Sequence, residues 1–269
     1  MVSLVPADYL EKFRQEPAEA GFVLDFDGTL AEVVPHPSDA TALPGAAGVL
    51  EALARTYAVV AVVSGRRAGQ VQRYLKAGGV RYVGLYGAEE LAGGRLRQPP
   101  QAEAWRREAT RLAAGVESFL LSEGLEGCWV EVKDLSLSVH FRNASAPEAG
   151  ERILRWARDL VASTAFVPVL GRMVVELRPQ PMTKAAAVEA IVSHHGLKRL
   201  VIAGDDSSDL EAFHRAKQML GAGVLVVGVG SEEQPPGLAE GSDLLVGSPK
   251  EVLGLLEVFG ALPQPPDVF

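Results

Sequence analysis

Four short stretches of this sequence hold side chains of the kind that handle phosphate and metal. Asp25-Phe26-Asp27-Gly28-Thr29-Leu30 sets two carboxylates directly after the apolar run 21–24. Like charges so placed repel unless a cation lies between them. Gly28 permits a sharp turn, and such a turn exposes backbone N–H groups that can cradle a phosphate. The alternative is an acidic turn with an aspartate as cap. Ser64-Gly65-Arg66 ends the apolar run 57–63 and, taken alone, is an ordinary loop. Lys184 opens the helical pattern 183–195, where a single lysine is ordinarily a solvated surface residue. Gly204-Asp205-Asp206-Ser207-Ser208-Asp209 follows the apolar run 200–203. Asp and Ser cap helices, and at least one is expected to do so here. Three carboxylates within five residues exceed what a cap needs, and metal binding explains the surplus.

The elements that must position these groups come in two kinds. Short β-branched apolar runs at 21–26, 57–63, 82–86, 200–203, 224–229 and 244–246 end at Gly, Ser or Asp. Continuous apolar runs of this length predict strands buried on both faces, hence a parallel sheet. Helical patterns at 45–55, 68–77, 183–195, 208–220 and 249–259 lie between or after them. The alternation predicts a doubly wound, Rossmann-like α/β core whose site lies at the carboxyl ends of its strands.

The middle of the chain has another rhythm. A helix over about 100–122 precedes alternating strands at 128–133 and 135–142, which meet in a tight turn at Asp134. A second helix over about 147–162 precedes strands at 166–170 and 173–178, which meet at Gly171-Arg172. Helix–strand–strand, twice, predicts an α+β unit with a four-stranded antiparallel sheet, one face on the helices and the other open. Pro99-Pro100 and Pro179-Gln180-Pro181 flank it as hinges. The expected domains are therefore a core of residues 1–98 and 180–269 and an inserted cap of residues 99–179. Alternation puts Glu131 and Lys133 on one face of their strand, and Ser136, Ser138, His140 and Arg142 on one face of the next. Glu176 and Arg178 share a face in the last strand. That surface is a plain solvated face or, if it closes over the core, one suited to a polyhydroxylated, uncharged group.

Composition narrows the partners. Of 269 residues, 48% are apolar and 22% charged, enough for a packed core and against disorder. The net charge of −8 gives no basic patch for nucleic acid, and no apolar run approaches the ~20 residues that span a bilayer. Asp8, Glu11, Lys12 and Arg14 interrupt the stretch where a secretion signal would be apolar, so a cytoplasmic setting is expected. One cysteine, Cys128, makes neither an internal disulfide nor a multi-cysteine zinc site. An anionic ligand would thus need a metal and a few placed cations. Residues 261–269 are proline-rich and expected to be loose.

In kind and order, the four stretches resemble those of the haloacid dehalogenase-like phosphotransferases. The resemblance implies Asp25 as nucleophile, Asp27 as general acid and base, Ser64 as hydrogen-bond donor to the phosphoryl oxygens and Lys184 as their counter-charge. It implies Mg2+ held by Asp25, Asp205 and the Asp27 carbonyl, with Asp206 and Asp209 orienting the metal's waters. Gly28, Thr29, Ser64, Gly65 and Lys184 would line the phosphate. The chemistry suits these residue types: two unit charges ~4 Å apart repel by ~4 kcal/mol at an effective dielectric of 20. A cation shared by carboxylate and phosphate turns that repulsion into alignment.

Ser64-Gly65-Arg66, Gly87-Ala88-Glu89, Glu131-Val132-Lys133, Val139-His140-Phe141-Arg142, Val175-Glu176-Leu177-Arg178-Pro179 and Gly204-Asp205-Asp206 resemble, more closely, the trehalose-6-phosphate phosphatase family. This implies hydrolysis of trehalose 6-phosphate, with Arg66, Glu131, Lys133 and Glu176 meeting the substrate. A phosphatase for another glycosyl phosphate, such as that of glucosylglycerol or mannosylglycerate, stays open. So does an idle phosphosugar-binding subunit, although binding alone requires no acid–base Asp27.

Overall fold

Where both faces of a strand are buried, every side chain can be apolar, and the central strands of this protein are built that way. The computed structural model describes residues 5, 7–34, 36–171, 173–232 and 234–260; Arg172 of the expected turn and the 261–269 segment lie outside them. Along the chain come α1 (Ala7–Gln15), β1 (Ala20–Leu24), α2 (Ala46–Thr56), β2 (Val59–Val63), α3 (Ala68–Leu75), β3 (Arg81–Gly84), β4 (Glu89–Ala92) and β5 (Arg95–Arg97). Then follow α4 (Ala102–Ser122), β6 (Trp129–Val132), β7 (Leu137–His140), α5 (Ala149–Val161), β8 (Phe166–Gly171) and β9 (Val174–Pro179). The last stretch holds α6 (Lys184–His195), β10 (Arg199–Gly204), α7 (Ser207–Leu220), β11 (Val224–Val229), α8 (Leu238–Gly241), β12 (Leu244–Val246) and α9 (Pro249–Gly260). Two compact units result, one from the residues through Leu96 and from Thr183 onward, the other from Arg97–Met182. No helix among the described residues is long and apolar enough to cross a membrane.

In the first unit the sheet order is β12-β11-β10-β1-β2-β3-β4-β5. From β12 to β3 neighbouring strands run parallel. Every residue of β1 and β2 is buried. Alternation divides them between two cores. Phe22, Leu24, Val60 and Val62 pack with residues of α1, α2, α3 and α9; Val23, Val59, Ala61 and Val63 pack with residues of α6 and α7. The parallel expectation needs one amendment, because β4 runs antiparallel to β3. Glu89–Ala92 and Arg95–Arg97 are short and largely polar, and they meet at Gly93-Gly94, both with positive φ. The helix α1, too, is absent from the sequence reading.

From β1 the chain winds outward through β2 and β3 on one side, and later through β10, β11 and β12 on the other. The winding reverses at β1, where open α/β sheets bind ligands beyond the strand ends. Leu24 stands opposite both Val62 and Ala203, so Asp25, Ser64 and the Gly204–Asp209 loop leave the sheet side by side.

In the second unit an antiparallel sheet in the order β6-β7-β9-β8 lays one face on two helices. Leu137, Val139, Val175 and Leu177 pack with Leu112 and Val116 of α4 and with Ile153 and Ala157 of α5. The turn at Asp134 has φ 73°, and its carboxylate accepts hydrogen bonds from Arg106 Nε at 2.6 Å and Gln98 Nε2 at 3.1 Å.

Candidate active site

Asp25 leaves β1 with its N–H donating to the Ala203 carbonyl at 2.9 Å, which ties it to the end of β10. Its side chain is 5% exposed and lies 3.0 Å from Lys184 Nζ. Lys184, at the start of α6, is no surface lysine: its side chain is 3% exposed, and Nζ also meets Asp209 at 2.8 Å and Asp206 at 3.7 Å. Three carboxylates thus surround one ammonium. Burial pushes the Asp25 carboxyl up to about 8; Lys184 opposes this, while Asp206, Asp205 and Asp27 add to it. Burial also drives Asp209 well above the carboxylate range against the pull of Lys184. Lys184 is held well above its ordinary value, since Asp206, Asp209 and Asp25 outweigh the cost of burying its charge.

The Asp205–Asp209 loop divides its acids between two tasks. Asp206 is the N-cap of α7: its Oδ1 accepts from Ser208 N–H at 2.8 Å and Asp209 N–H at 3.0 Å. Asp209 Oδ2 accepts in return from the N–H groups of Asp206 at 3.2 Å and Asp205 at 3.1 Å, closing a capping box. Burial works against the charged form of Asp206, yet Lys184 and the bonds from Ser208 and Asp209 prevail and bring it to about 2. The cap uses two of the three carboxylates, and the third, Asp205, is buried against the turn at Gly28. Gly28 has φ +76°, and a Cβ there would overlap the Asp205 carboxylate. That close approach is what its position requires.

The turn uses its own donors. The N–H of Gly28 donates to Ala31 O at 2.8 Å and that of Thr29 to Phe26 O at 3.3 Å, so both are spent within the turn. The Thr29 hydroxyl is fully buried, with no hydrogen-bond partner among the described residues. The backbone donors of these two residues thus point into the turn.

Ser64 follows β2, and its Oγ accepts from the Arg66 N–H at 3.1 Å, which leaves the hydroxyl proton to donate elsewhere. Two non-glycine residues in the left-handed region, Leu85 (φ 50°) and Tyr86 (φ 56°), clamp this loop. Leu85 N–H donates to Arg66 O at 2.9 Å and Tyr86 N–H to Ser64 O at 3.0 Å. Gly65 lets the Tyr86 ring lie close, because a Cβ would come within 2.5 Å of its Oη and the ring would have to shift. Such strain persists only where the surroundings enforce it. Nothing in the residue types announces it, since neither Leu85 nor Tyr86 is a glycine or an asparagine.

Arg66, expected among the substrate contacts, is engaged by two loops of its own unit. Its Nε donates to Asp27 Oδ2 at 2.7 Å, Nη2 to Asp27 Oδ1 at 2.8 Å and Nη1 to the Pro37 carbonyl at 2.7 Å.

Glu131, Lys133 and Glu176 lie in the second unit, on the sheet face opposite its core. Lys133 Nζ is 3.0 Å from Glu176 Oε1, which also accepts from Ser138 Oγ at 3.1 Å. Glu131 Oε2 pairs with His140 Nε2 at 2.9 Å, and Trp129 stacks on the His140 ring at 4.0 Å. Trp129 extends the polar face that alternation picks out, and its pairing with His140 across β6 and β7 needs the register.

One oxygen each from Asp25, Asp206 and Asp209 falls within 4.8 Å of the others. An all-carboxylate set suits a hard divalent cation such as Mg2+; burial is what chiefly raises Asp25, and such a cation would offset the smaller part that its acidic neighbours add.

A β1-centred doubly wound sheet with these acids at its strand ends, interrupted by an α+β unit, is the architecture of capped haloacid dehalogenase-like phosphatases. The C-terminal domain of the Candida albicans trehalose-6-phosphate phosphatase has this fold, with a TM-score of 0.78 at 20% identity over 97% of this chain and 99% of that one. The chain belongs to the trehalose-phosphatase family, whose model matches residues 23–236. The trehalose-phosphate phosphatase of Mycobacterium leprae is 30% identical over 214 residues, 76% of this chain and 49% of that protein. An uncharacterized glycosyl hydrolase of Mycobacterium tuberculosis is 33% identical over 211 residues, 76% of this chain and 16% of that protein. The matched region thus covers half or less of these relatives.

Proposed function

We propose that this chain is a Mg2+-dependent phosphatase that hydrolyses trehalose 6-phosphate to trehalose and phosphate in trehalose biosynthesis. The observation that supports it most is the enclosure of Asp25: a buried carboxylate at the end of β1, 3.0 Å from a buried ammonium. A structural ion pair needs one acid, and this lysine has three.

In this reading an Asp25 oxygen attacks phosphorus. The bond from phosphorus to the sugar oxygen breaks, and Asp27 delivers a proton to that oxygen. Water then attacks the aspartyl-phosphate, Asp27 takes the water's proton, and phosphate leaves with Asp25 restored. Ser64 donates its hydroxyl proton to a phosphoryl oxygen, and Lys184 offsets charge gathering there. Asp25 with the Asp205–Asp209 loop would hold Mg2+, which supplies Lewis-acid neutralisation of the phosphoryl oxygens. Residues 1–98 and 180–269 carry this chemistry. Residues 99–179 supply sugar recognition, through Glu131, Lys133 and Glu176.

The test is phosphate release from a panel of sugar phosphates, with Mg2+ and with chelator. Trehalose 6-phosphate is expected to be turned over and chelator to stop it. Exclusive turnover of another glycosyl phosphate would overturn the substrate assignment. Glu131→Ala and Lys133→Ala are expected to lower kcat/KM for trehalose 6-phosphate roughly 10–100-fold, as loss of a charged hydrogen bond does. Para-nitrophenyl phosphate should be nearly unaffected; equal losses on both would refute a sugar-reading role.

A further inference from the structure

We propose that Arg66 is a positioning residue for Asp27, fixing the plane in which that carboxylate exchanges its proton; the inference rests on the phosphatase reading above. The Asp27 side chain is 37% exposed, whereas the Arg66 side chain is 10% exposed and tied to several neighbours. Its Nη1 donates to the Pro37 carbonyl at 2.7 Å. Its guanidinium carbon stands 5.6 Å from the Tyr74 ring centroid and 5.8 Å from that of Phe26, and the two rings stack on each other. Its main chain is tied at both ends, by N–H to Ser64 Oγ and by the carbonyl from Leu85 N–H.

A well-packed fork therefore grips a half-exposed acid. Each Asp27 oxygen accepts one N–H, at 2.7 and 2.8 Å, and keeps a second lone pair in the plane that the guanidinium imposes. Lysine, a point charge without a fork, cannot impose that plane. A substrate phosphate recruiting Arg66 would have to break two charge-assisted bonds, so a place beside Asp27 suits this residue better than a place on the substrate.

Para-nitrophenolate departs without a proton and an alkoxide needs one, so two substrates separate the steps that Asp27 serves. Arg66→Met and Arg66→Lys are expected to lower kcat for trehalose 6-phosphate on the order of 10²-fold, the cost of misplacing a reacting group by about 1 Å. KM should stay within about threefold. With para-nitrophenyl phosphate both variants should release one equivalent of nitrophenolate in a burst and then turn over slowly, because water activation also needs Asp27. In an Asp27→Asn background neither substitution should add a further loss. A raised KM with kcat preserved, or an equal loss in that background, would overturn the inference. Arg66→Lys, which keeps the charge, serves if Arg66→Met unfolds, with thermal unfolding as control. If the wild type hydrolyses para-nitrophenyl phosphate alone, the trehalose assignment fails and the burst still decides the role of Arg66. A wild type inert toward both substrates overturns the phosphatase reading and this inference with it.

Discussion

As the proposed nucleophile, Asp25 is poised between two demands, since a nucleophile must be ionised and a buried carboxyl resists ionisation. Burial first, then Asp206, Asp205 and Asp27, push it up to about 8 against the pull of Lys184. Without a divalent cation the folded protein therefore retains on Asp25 a proton that the unfolded chain has released. The stability this group contributes is full below its unfolded value, near pH 4, and is lost as pH rises through about 8. Asp25→Asn removes the titration while keeping the shape. The metal-free variant should thus gain melting temperature relative to wild type as pH rises from about 5 to about 9, a trend that thermal unfolding across pH measures. Added Mg2+ should shrink the difference by stabilising the wild type alone, and a gap independent of pH would contradict this account. Phosphate release by the variant should fall on the order of 10⁴-fold or more, as for a lost nucleophile.

The turn after β1 shows how a loop places an acid, and what a sequence can and cannot say about it. Gly28, at φ +76°, lets that turn lie against Asp205. Gly28→Ala would both strain the backbone, by roughly 1–2 kcal/mol for the left-handed conformation, and drive a methyl into the carboxylate. We expect a variant that melts a few degrees lower and loses kcat on the order of 10²-fold; steady-state kinetics beside calorimetry would check it, and unchanged kcat would refute the packing argument. The glycine itself was legible, but its reason was not: the motif suggested a cradle of N–H groups, whereas Gly28 and Thr29 spend theirs inside the turn. Strands β1, β2, β10 and β11 were legible because burial on both faces leaves an unbroken apolar run. The sheet of the second unit was legible because one buried face imposes alternation. The β4 and β5 strands were not, since short polar edge strands write no such pattern. Nor was the Arg66 fork on Asp27, a contact across 39 residues that only the pairing of β1 with β2 creates. Tyr86 escaped for a third reason, because its left-handed backbone is imposed by its neighbours rather than chosen by its side chain.

At the scale of the whole molecule the charge balance looks wrong for the proposed substrate. A chain of net charge −8 is asked to receive a phosphate dianion. The cations nearest the chemistry do not reverse this, since Lys184 sits among Asp25, Asp206 and Asp209, and Arg66 is paired with Asp27. In the proposed reaction attraction arises at contact, from the divalent ion and from groups that acidic neighbours hold in place, while the long-range field repels. Screening distinguishes the two ranges. The Debye length falls from about 30 Å at 0.01 M salt to about 8 Å at 0.15 M, which removes distant repulsion and spares contacts a few ångströms long. At saturating Mg2+, kcat/KM for trehalose 6-phosphate should therefore hold steady or rise up to about threefold over that range. Enzymes steered by a basic surface lose rate over the same interval. A fall of tenfold or more would mean that the protein draws its substrate from afar, and that positive surface outside the Lys184 and Arg66 clusters does the work assigned here to the metal and to Lys184.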